Sequence, residues 1–234
     1  MHQQPPPRWA ARGWIKIKLT PHLIHFLGCW ASIQPILLKN LDSFTLNRIA
    51  YIYEACYKLA YTPKAFENSK ISFIPKPNKS DYQDPKAWRP ITLLNFLLKG
   101  LERLILWDIQ EKMGEKLIFH NQHAYTCNRG TDTAISEVLN YIEANALKGK
   151  KRHCIVTFMD ISGAFDNAPY HHIIDAMIEA EAPIEFIKFY KNFLNNRRTT
   201  IKFGTHQITK KLIVGVGQGS ILSPIAWNFY LLGY

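Results

Sequence analysis

The sequence is organised around residues 154–167, which read CIVTFMDISGAFDN. Five of the first six residues are apolar, so residues 154–159 are predicted to form a short, well-buried strand. The strand ends in a carboxylate, Asp160, and an aromatic residue, Phe165, follows five positions later. A buried strand that delivers an acid to its C-terminal edge is a common way for α/β proteins to present a metal ligand.

The small residues Ser162, Gly163 and Ala164 follow this acid. Small side chains let a phosphate approach the backbone, and the N–H groups of a following helix would point towards that phosphate. A structural alternative exists for the two acids of this stretch. Asp160 and Asp166 could instead be caps of turns, since aspartate commonly caps helix N-termini.

A second stretch, residues 215–224, reads GVGQGSILSP and opens an apolar segment that is predicted to be helical. Further motifs are FIPKPNK at 73–79, WRPITLL at 88–94, QHAY at 122–125 and GTDTA at 130–134. In this order and spacing, they resemble the fingers and palm motifs of reverse transcriptases, most closely those of non-LTR (LINE-type) retrotransposons. The stretches at 154–167 and 215–224 resemble motifs A and B of that family, and the resemblance runs from about Ile36 to the C-terminus.

The resemblance implies an α+β fold with the fingers and a partial palm of a right-hand polymerase. Residues 41–150 would be the fingers-like part and residues 151–234 the partial palm with motifs A and B. Residues 1–40 do not resemble the family and are left unassigned. The chain is expected to be truncated before the family's motif C, an aromatic-x-Asp-Asp hairpin, and to have its thumb absent.

The resemblance also implies a metal site and a sugar-selecting residue. Asp160 would be the catalytic carboxylate that bridges two Mg²⁺ (or Mn²⁺) ions, which lie about 3.5–4 Å apart in such polymerases. The backbone carbonyl of Ile161 would help to hold one of these ions. Phe165 would be a steric gate whose ring lies under the sugar and excludes a ribose 2′-OH.

Nucleotide-binding residues follow from the resemblance in the same way. Arg89 would contact the triphosphate, because the planar guanidinium can grip phosphate oxygens in a bidentate manner. Lys76, on the same basic hairpin, would be a second contact. Gln218 and Gly219 would line the nucleotide and template pocket. Glycine at 217 replaces the family's usual proline, which is expected to loosen this loop because glycine has more backbone freedom to lose on ordering.

The implied function is RNA-directed DNA polymerisation with an RNA template, a DNA primer and dNTPs as partners. Glu185 is the last acidic residue in the sequence, so the region after motif B offers no other carboxylate for the metals. The 234-residue chain is therefore expected not to polymerise by itself. The alternative is a non-catalytic nucleic-acid-binding remnant of such an element.

Composition agrees with a polyanionic partner. The net charge is +11 and the pI is about 9.5, which favours nucleic acid first and an anionic membrane second. The four cysteines are widely spaced without a CxxC pair, which is typical of a reducing compartment. We expect an intracellular protein, in the nucleus or cytoplasm, with no membrane-spanning segment.

Apolar periodicity and turn residues predict the remaining elements. Helices are expected at 41–60, 95–113, 131–147, 170–182 and 184–195. Hairpins are expected from strands at 70–75 and 91–94, and again from 197–203 and 207–214. The helix at 131–147 should turn an apolar stripe inward, consisting of Ile135, Val138, Leu139 and Ile142.

Overall fold

The computed structural model of the protein describes residues 40–117, 121–146 and 154–232. The unassigned N-terminal segment therefore lies almost entirely outside the described residues. Eight α-helices and four strands make up the described part, joined by two short 3₁₀ turns. The helices are α1 Ser43–Lys58, α2 Lys64–Glu67, α3 Phe96–Met113, α4 Thr131–Ala146, α5 Ala164–Asn167, α6 Tyr170–Glu179, α7 Ile184–Asn196 and α8 Ser223–Leu232; the strands are β1 Asn68–Pro75, β2 Trp88–Leu93, β3 Arg198–Phe203 and β4 His206–Lys211.

Side-chain caps define the starts of two long helices. Asp42 caps α1 by accepting a hydrogen bond from the backbone N–H of Thr45 at 2.9 Å, and Asn95 caps α3 through the N–H of Leu97 at 2.9 Å. Each cap satisfies one of the backbone donors that a helix N-terminus leaves unpaired. The predicted helices at 41–60, 95–113, 170–182 and 184–195 are all present, with ends that differ by a few residues.

The strands form one sheet in the order β2-β1-β3-β4. The two predicted hairpins are confirmed, since β1 pairs antiparallel with β2 and β3 pairs antiparallel with β4. The hairpins are joined by a parallel pairing of β1 with β3, in which Ser69 lies opposite Thr199 and Ile71 opposite Ile201. The side chain of Ser69 strengthens this junction by donating a hydrogen bond to the carbonyl of Arg198 at 3.0 Å. The mixed helix-and-sheet architecture is confirmed.

The hydrophobic core lies between the helices that flank this sheet. α6 packs against α7 and α8, and α1 packs against α7. The largest fully buried side chains come from α3, α6, α7 and α8: Leu98, Leu101, Ile105, Ile109, Ile173, Met177, Phe186, Phe189, Tyr190, Phe193, Leu194 and Phe229. Within the described ranges, no helix combines the length and the apolar character needed to cross a membrane.

The predicted strand at 154–159 is wrong for this structure. Residues 154–161 have no regular secondary structure, and the side chains of Ile155, Phe158 and Met159 are 90%, 87% and 92% exposed. A strand needs a neighbour to pair with its backbone N–H and C=O groups. Among the described residues, no strand lies beside this segment, so its apolar side chains remain in solvent.

The helix predicted at 131–147 is confirmed as α4, but the predicted burial of its apolar stripe is wrong. Ile135, Val138 and Leu139 are exposed, and Ile142 is only half-buried. Periodicity predicts which residues share a face, but it does not supply a partner for that face. In the described part of the chain, no element packs extensively against α4.

Candidate nucleotide and nucleic-acid site

A cleft of about 480 Å³ lies where β2, α5 and the start of α8 meet. One wall is the turn at 217–220, and another is formed by Ile91 on β2. Tyr125, from the loop before α4, and Phe165, from α5, close its aromatic side. Segments that are far apart in the sequence therefore form one concave surface, and concave surfaces with a few polar groups are typical of small-molecule sites.

Phe165 is held rigidly in this cleft by two aromatic neighbours. Its ring stacks on Trp227 of α8, with ring centroids 5.4 Å apart and an interplanar angle of 20°. Tyr125 approaches the same ring edge-on at 6.1 Å. Offset stacked and edge-to-face pairs are the favoured geometries of aromatic contacts, so the orientation of Phe165 is fixed before any ligand arrives.

The residues just before the turn are fastened to α5 through backbone contacts. The N–H of Val216 donates to the carbonyl of Phe165 at 2.7 Å, and the N–H of Gly215 donates to the carbonyl of Ala168 at 2.8 Å. Gly215 has a φ of +83°, and a Cβ at this position would lie 2.5 Å from the carbonyl oxygen of Asp166. Only glycine combines this backbone conformation with so close an approach.

The turn itself is fastened to β2 on its other side. The N–H of Thr92 donates to the carbonyl of Gln218 at 2.7 Å. Gly219 has a φ of +123°, and a Cβ there would lie 2.5 Å from the carbonyl oxygen of Thr92. Gly217 packs on the Thr92 side chain, with its Cβ position 3.3 Å away. These contacts order the loop despite the backbone freedom of its glycines.

The side chain of Gln218 connects this turn to α5. Its Nε2 donates to both carboxylate oxygens of Asp166, at 3.2 and 3.3 Å. Asp166 is therefore a hydrogen-bond acceptor for the turn, and its side chain has a structural role. All four residues of the turn at 217–220 line the cleft.

Glu102 is a functional candidate that the sequence analysis did not single out. It lies on α3 and is fully buried. One carboxylate oxygen accepts a hydrogen bond from the Ser220 hydroxyl at 2.6 Å, and the other accepts from the N–H of Ile221 at 2.9 Å. Burial raises the pKa of Glu102 to about 7, although these two hydrogen bonds and the charges of Lys99 and Arg197 act to lower it.

Asp160 and Ile161 lie on the irregular segment that precedes α5, and both are exposed. Gly163, which follows them at a φ of +62°, is the N-cap of α5 and begins the wall of the cleft. The two residues are thus joined to the cleft by a tight turn. Neither is among the residues that line it.

The sheet carries its positive charges mostly on one face. None of the four strands contains an acidic residue. Residues that are paired across strands, and residues two apart along a strand, share a face. The observed register therefore places five cations on the face that includes Ile91, and these are Lys70, Arg89, Arg198, Lys202 and Lys211.

The two basic residues predicted to bind phosphate have different surroundings. Arg89 is exposed on β2, opposite Ile74, and lies two residues from the cleft residue Ile91. Lys76 is half-buried, and its ammonium group donates to the carbonyl of Lys86 at 2.8 Å. Arg89 is therefore exposed to solvent two residues from a cleft residue, whereas the ammonium group of Lys76 is bonded within the loop of its hairpin.

The family model described as reverse transcriptase (RNA-dependent DNA polymerase) matches residues 74–233. The chain belongs to the reverse transcriptase family. The match includes the cleft, its turn and most of the sheet, and it confirms the resemblance found in the sequence.

Several curated proteins are similar to this reverse transcriptase chain. It is 28% identical over 196 residues to a probable RNA-directed DNA polymerase from transposon BS of Drosophila melanogaster. It is also 28% identical over 195 residues to the RNA-directed DNA polymerase from the mobile element jockey of the same species. Each alignment covers 82% of this chain. The chain spans about a fifth of the length of these relatives, 21% in both cases.

A solved structure also matches the reverse transcriptase chain. It is apo telomerase from Candida tropicalis, truncated from its C-terminal domain, with a TM-score of 0.48 and 15% sequence identity. The match covers 83% of this chain and 46% of the telomerase chain.

Of the residues singled out in the sequence, the fold brings Phe165, Gln218 and Gly219 into one cleft, with Arg89 near its rim. Within the described ranges, no three His, Cys, Asp or Glu side chains form a group that could hold an ion. Magnesium prefers near-octahedral oxygen coordination with carboxylate ligands. Asp160 and the carbonyl of Ile161 therefore do not by themselves fit a pair of such ions.

Proposed function

We propose that this chain is the nucleotide-binding part of an RNA-directed DNA polymerase domain. In this proposal the β1–β2 hairpin belongs to the fingers and the cleft to the palm of a right-hand polymerase. The cleft supports the proposal most directly, because it gathers Phe165, Gln218 and Gly219 beside a hairpin that carries Arg89. The partners would be an RNA template, a DNA primer and an incoming dNTP.

The chemistry of each residue suggests which part of the nucleotide it would bind. Arg89 would hold the triphosphate by bidentate contacts from its guanidinium. The turn at 217–220 would support the base, since all four of its residues line the cleft. Asp160 would contribute one carboxylate to the reaction centre. The chain as described is therefore proposed to bind and orient the nucleotide, while bond formation would require carboxylates beyond those it assembles.

Selection of the sugar would depend on Phe165. Because the ring is stacked on Trp227 and flanked by Tyr125, it cannot rotate away without losing both contacts. A ring fixed in this way would lie against the C2′ position of a bound nucleotide. A ribose 2′-OH would then clash with it, and a 2′-deoxy sugar would not.

A binding experiment tests this proposal. We would measure the affinities of dATP and ATP for the chain bound to a primed RNA template with uridine at the next position, in buffer containing Mg²⁺. The wild type should prefer dATP, and Phe165→Val should reduce the preference about tenfold, a magnitude typical of one lost steric contact in a pocket. Phe203→Val removes an exposed phenylalanine of β3 and is the matched control. Equal binding of the two nucleotides by the wild type would refute the proposed pocket.

The basic sheet face favours a second candidate function, which is nucleic-acid binding without turnover. Lys211, Arg198 and Lys202 lie on the face shared with Arg89, and no strand contributes a carboxylate to it. A face with this charge suits a phosphate backbone, and each phosphate contact adds to the salt dependence of binding.

Two adjacent lysines of β4 provide a matched test of this surface. Lys211 lies on the basic face, whereas Lys210 is opposite Thr199 and points to the other face. If the basic face binds single-stranded RNA, Lys211→Ala should lower the slope of log affinity against log salt by about 0.7, the value for one lost phosphate contact. Lys210→Ala should leave the slope nearly unchanged. If the two substitutions lowered the slope equally, the lysines would contribute only through the net charge of the chain, and RNA would not bind to this face in particular.

A further inference from the structure

The buried carboxylate of Glu102 contacts the turn without lining the cleft. Ser220 and Ile221 donate to its two oxygens, and the Ser220 hydroxyl oxygen in turn accepts from the N–H of Leu222 at 3.2 Å. α8 begins immediately afterwards, at Ser223. Glu102 on α3 therefore holds the turn that leads into α8 by accepting hydrogen bonds from Ser220 and Ile221.

The opposite side of the turn is held by β2. Thr92 donates to Gln218, and Gly219 sits against the Thr92 carbonyl. The turn is thus clamped between Thr92, which contacts Gln218 and Gly219, and Glu102, which accepts from the next two residues. A change at Glu102 would therefore alter the position of Gln218 and Gly219, which line the cleft.

We infer that Glu102 is a positioning residue that fixes the turn carrying Gln218 and Gly219 by accepting hydrogen bonds from Ser220 and Ile221. Its importance for nucleotide affinity rests on the proposed function of the cleft, whereas its hold on the turn does not. Glu102 does not line the cleft, so it acts through the turn and makes no contact with the nucleotide. Loss of the carboxylate would leave the Ser220 hydroxyl and the Ile221 N–H without an acceptor, which would destabilise this conformation of the turn.

Three substitutions separate this role from simple core packing. Glu102→Met keeps most of the side-chain volume but removes both acceptors. Glu102→Gln keeps both contacts, since its carbonyl can accept from Ile221 while its amide donates to the Ser220 oxygen. Leu101→Met changes the neighbouring, equally buried position of α3, which makes no side-chain hydrogen bond, and is the matched control.

Hydrogen exchange of the full chain is the first readout. In Glu102→Met, the amides of residues 218–222 should lose about tenfold of their protection, as expected for lost hydrogen bonds to a buried acceptor. The amides of α7 in the core should be unchanged. Glu102→Gln and Leu101→Met should both retain protection of the turn. Global destabilisation would instead lower the protection of the turn and of α7 together.

Affinity for dATP, measured on the complex with a primed RNA template, is the second readout. Glu102→Met should weaken binding about tenfold, in line with its effect on the turn, and Glu102→Gln should restore it. If the wild type does not bind dATP, the proposed function fails while hydrogen exchange still decides the role of Glu102. Wild-type protection of residues 218–222 in Glu102→Met, or equal loss in Leu101→Met, would overturn the inference.

Discussion

Titration of Glu102 should make the folding stability of this chain depend on pH. In the folded state, burial raises the pKa of this carboxyl from 4.5 to about 7. The groups that face it are Lys99 on α3, Arg197 at the end of α7, the buried hydroxyl of Tyr190, and the donors of the turn. Lys99 and Arg197 lower the pKa, but the loss of solvent outweighs them. The perturbation that isolates this titration is Glu102→Gln, which cannot ionise.

The sign of the effect follows from proton binding. Between pH 4.5 and about 7, the folded state keeps the proton that the unfolded state has lost. The stability contributed by Glu102 is therefore fully present below pH 4.5 and is lost as the pH rises through about 7. Each pKa unit corresponds to about 1.4 kcal/mol, so the shift is worth about 3 kcal/mol.

Urea unfolding of the two proteins at a series of pH values measures this contribution. The free energy of unfolding of the wild type, minus that of Glu102→Gln, should fall by about 3 kcal/mol between pH 4.5 and 8. Other titrating groups are common to both proteins and cancel in the difference. A difference that stays constant over this range would refute the argument, because it would mean that burial does not perturb the pKa of this carboxyl.

Two further predictions concern the reaction centre and the turn. Purified chain with Mg²⁺, dNTPs and a primed RNA template should extend no primer, because the described residues assemble no metal-binding group; product formation that Asp160→Asn abolishes would contradict this. Gly219→Ala should lower the urea midpoint by more than Gly204→Ala, since both glycines have positive φ but only Gly219 lies against a backbone oxygen, that of Thr92. Strain of this kind costs on the order of 1–3 kcal/mol, and equal midpoints for the two variants would show that the turn relaxes freely.

Local sequence signals predicted the helices and hairpins because their causes are local. The Asp42 cap, the Asn95 cap and the turn at Gly204 each act within a few residues of the element they define. The clustering of Phe165 with Gln218 and Gly219 followed from family motifs. Periodicity and capping do not bring such distant segments together.

The sequence did not predict the features that depend on contacts between distant segments. Nothing local indicates that β1 pairs parallel with β3, and this pairing is what unites the basic residues of the two hairpins. Two segments have the composition of buried elements, namely residues 154–159 and the apolar face of α4. Most of their large apolar side chains are nevertheless exposed in the described part of the chain. The burial of Glu102 could have been recognised from the sequence. This acid interrupts the apolar stripe of α3, four residues after Leu98 and three before Ile105. An acid at such a position is buried and must find donors.

The most direct test of the account is to locate the bound nucleotide by photocrosslinking. A dUTP analogue with a photoreactive group on the base would be irradiated with the chain and a primed RNA template that has adenine at the next position. Mass spectrometry should find adducts on peptides that contain Ile91, Tyr125, Phe165 or the turn at 217–220, and excess dTTP but not dCTP should suppress them. Adducts confined to other parts of the chain, or labelling that ignores the template base, would contradict the assignment of this cleft as the nucleotide site.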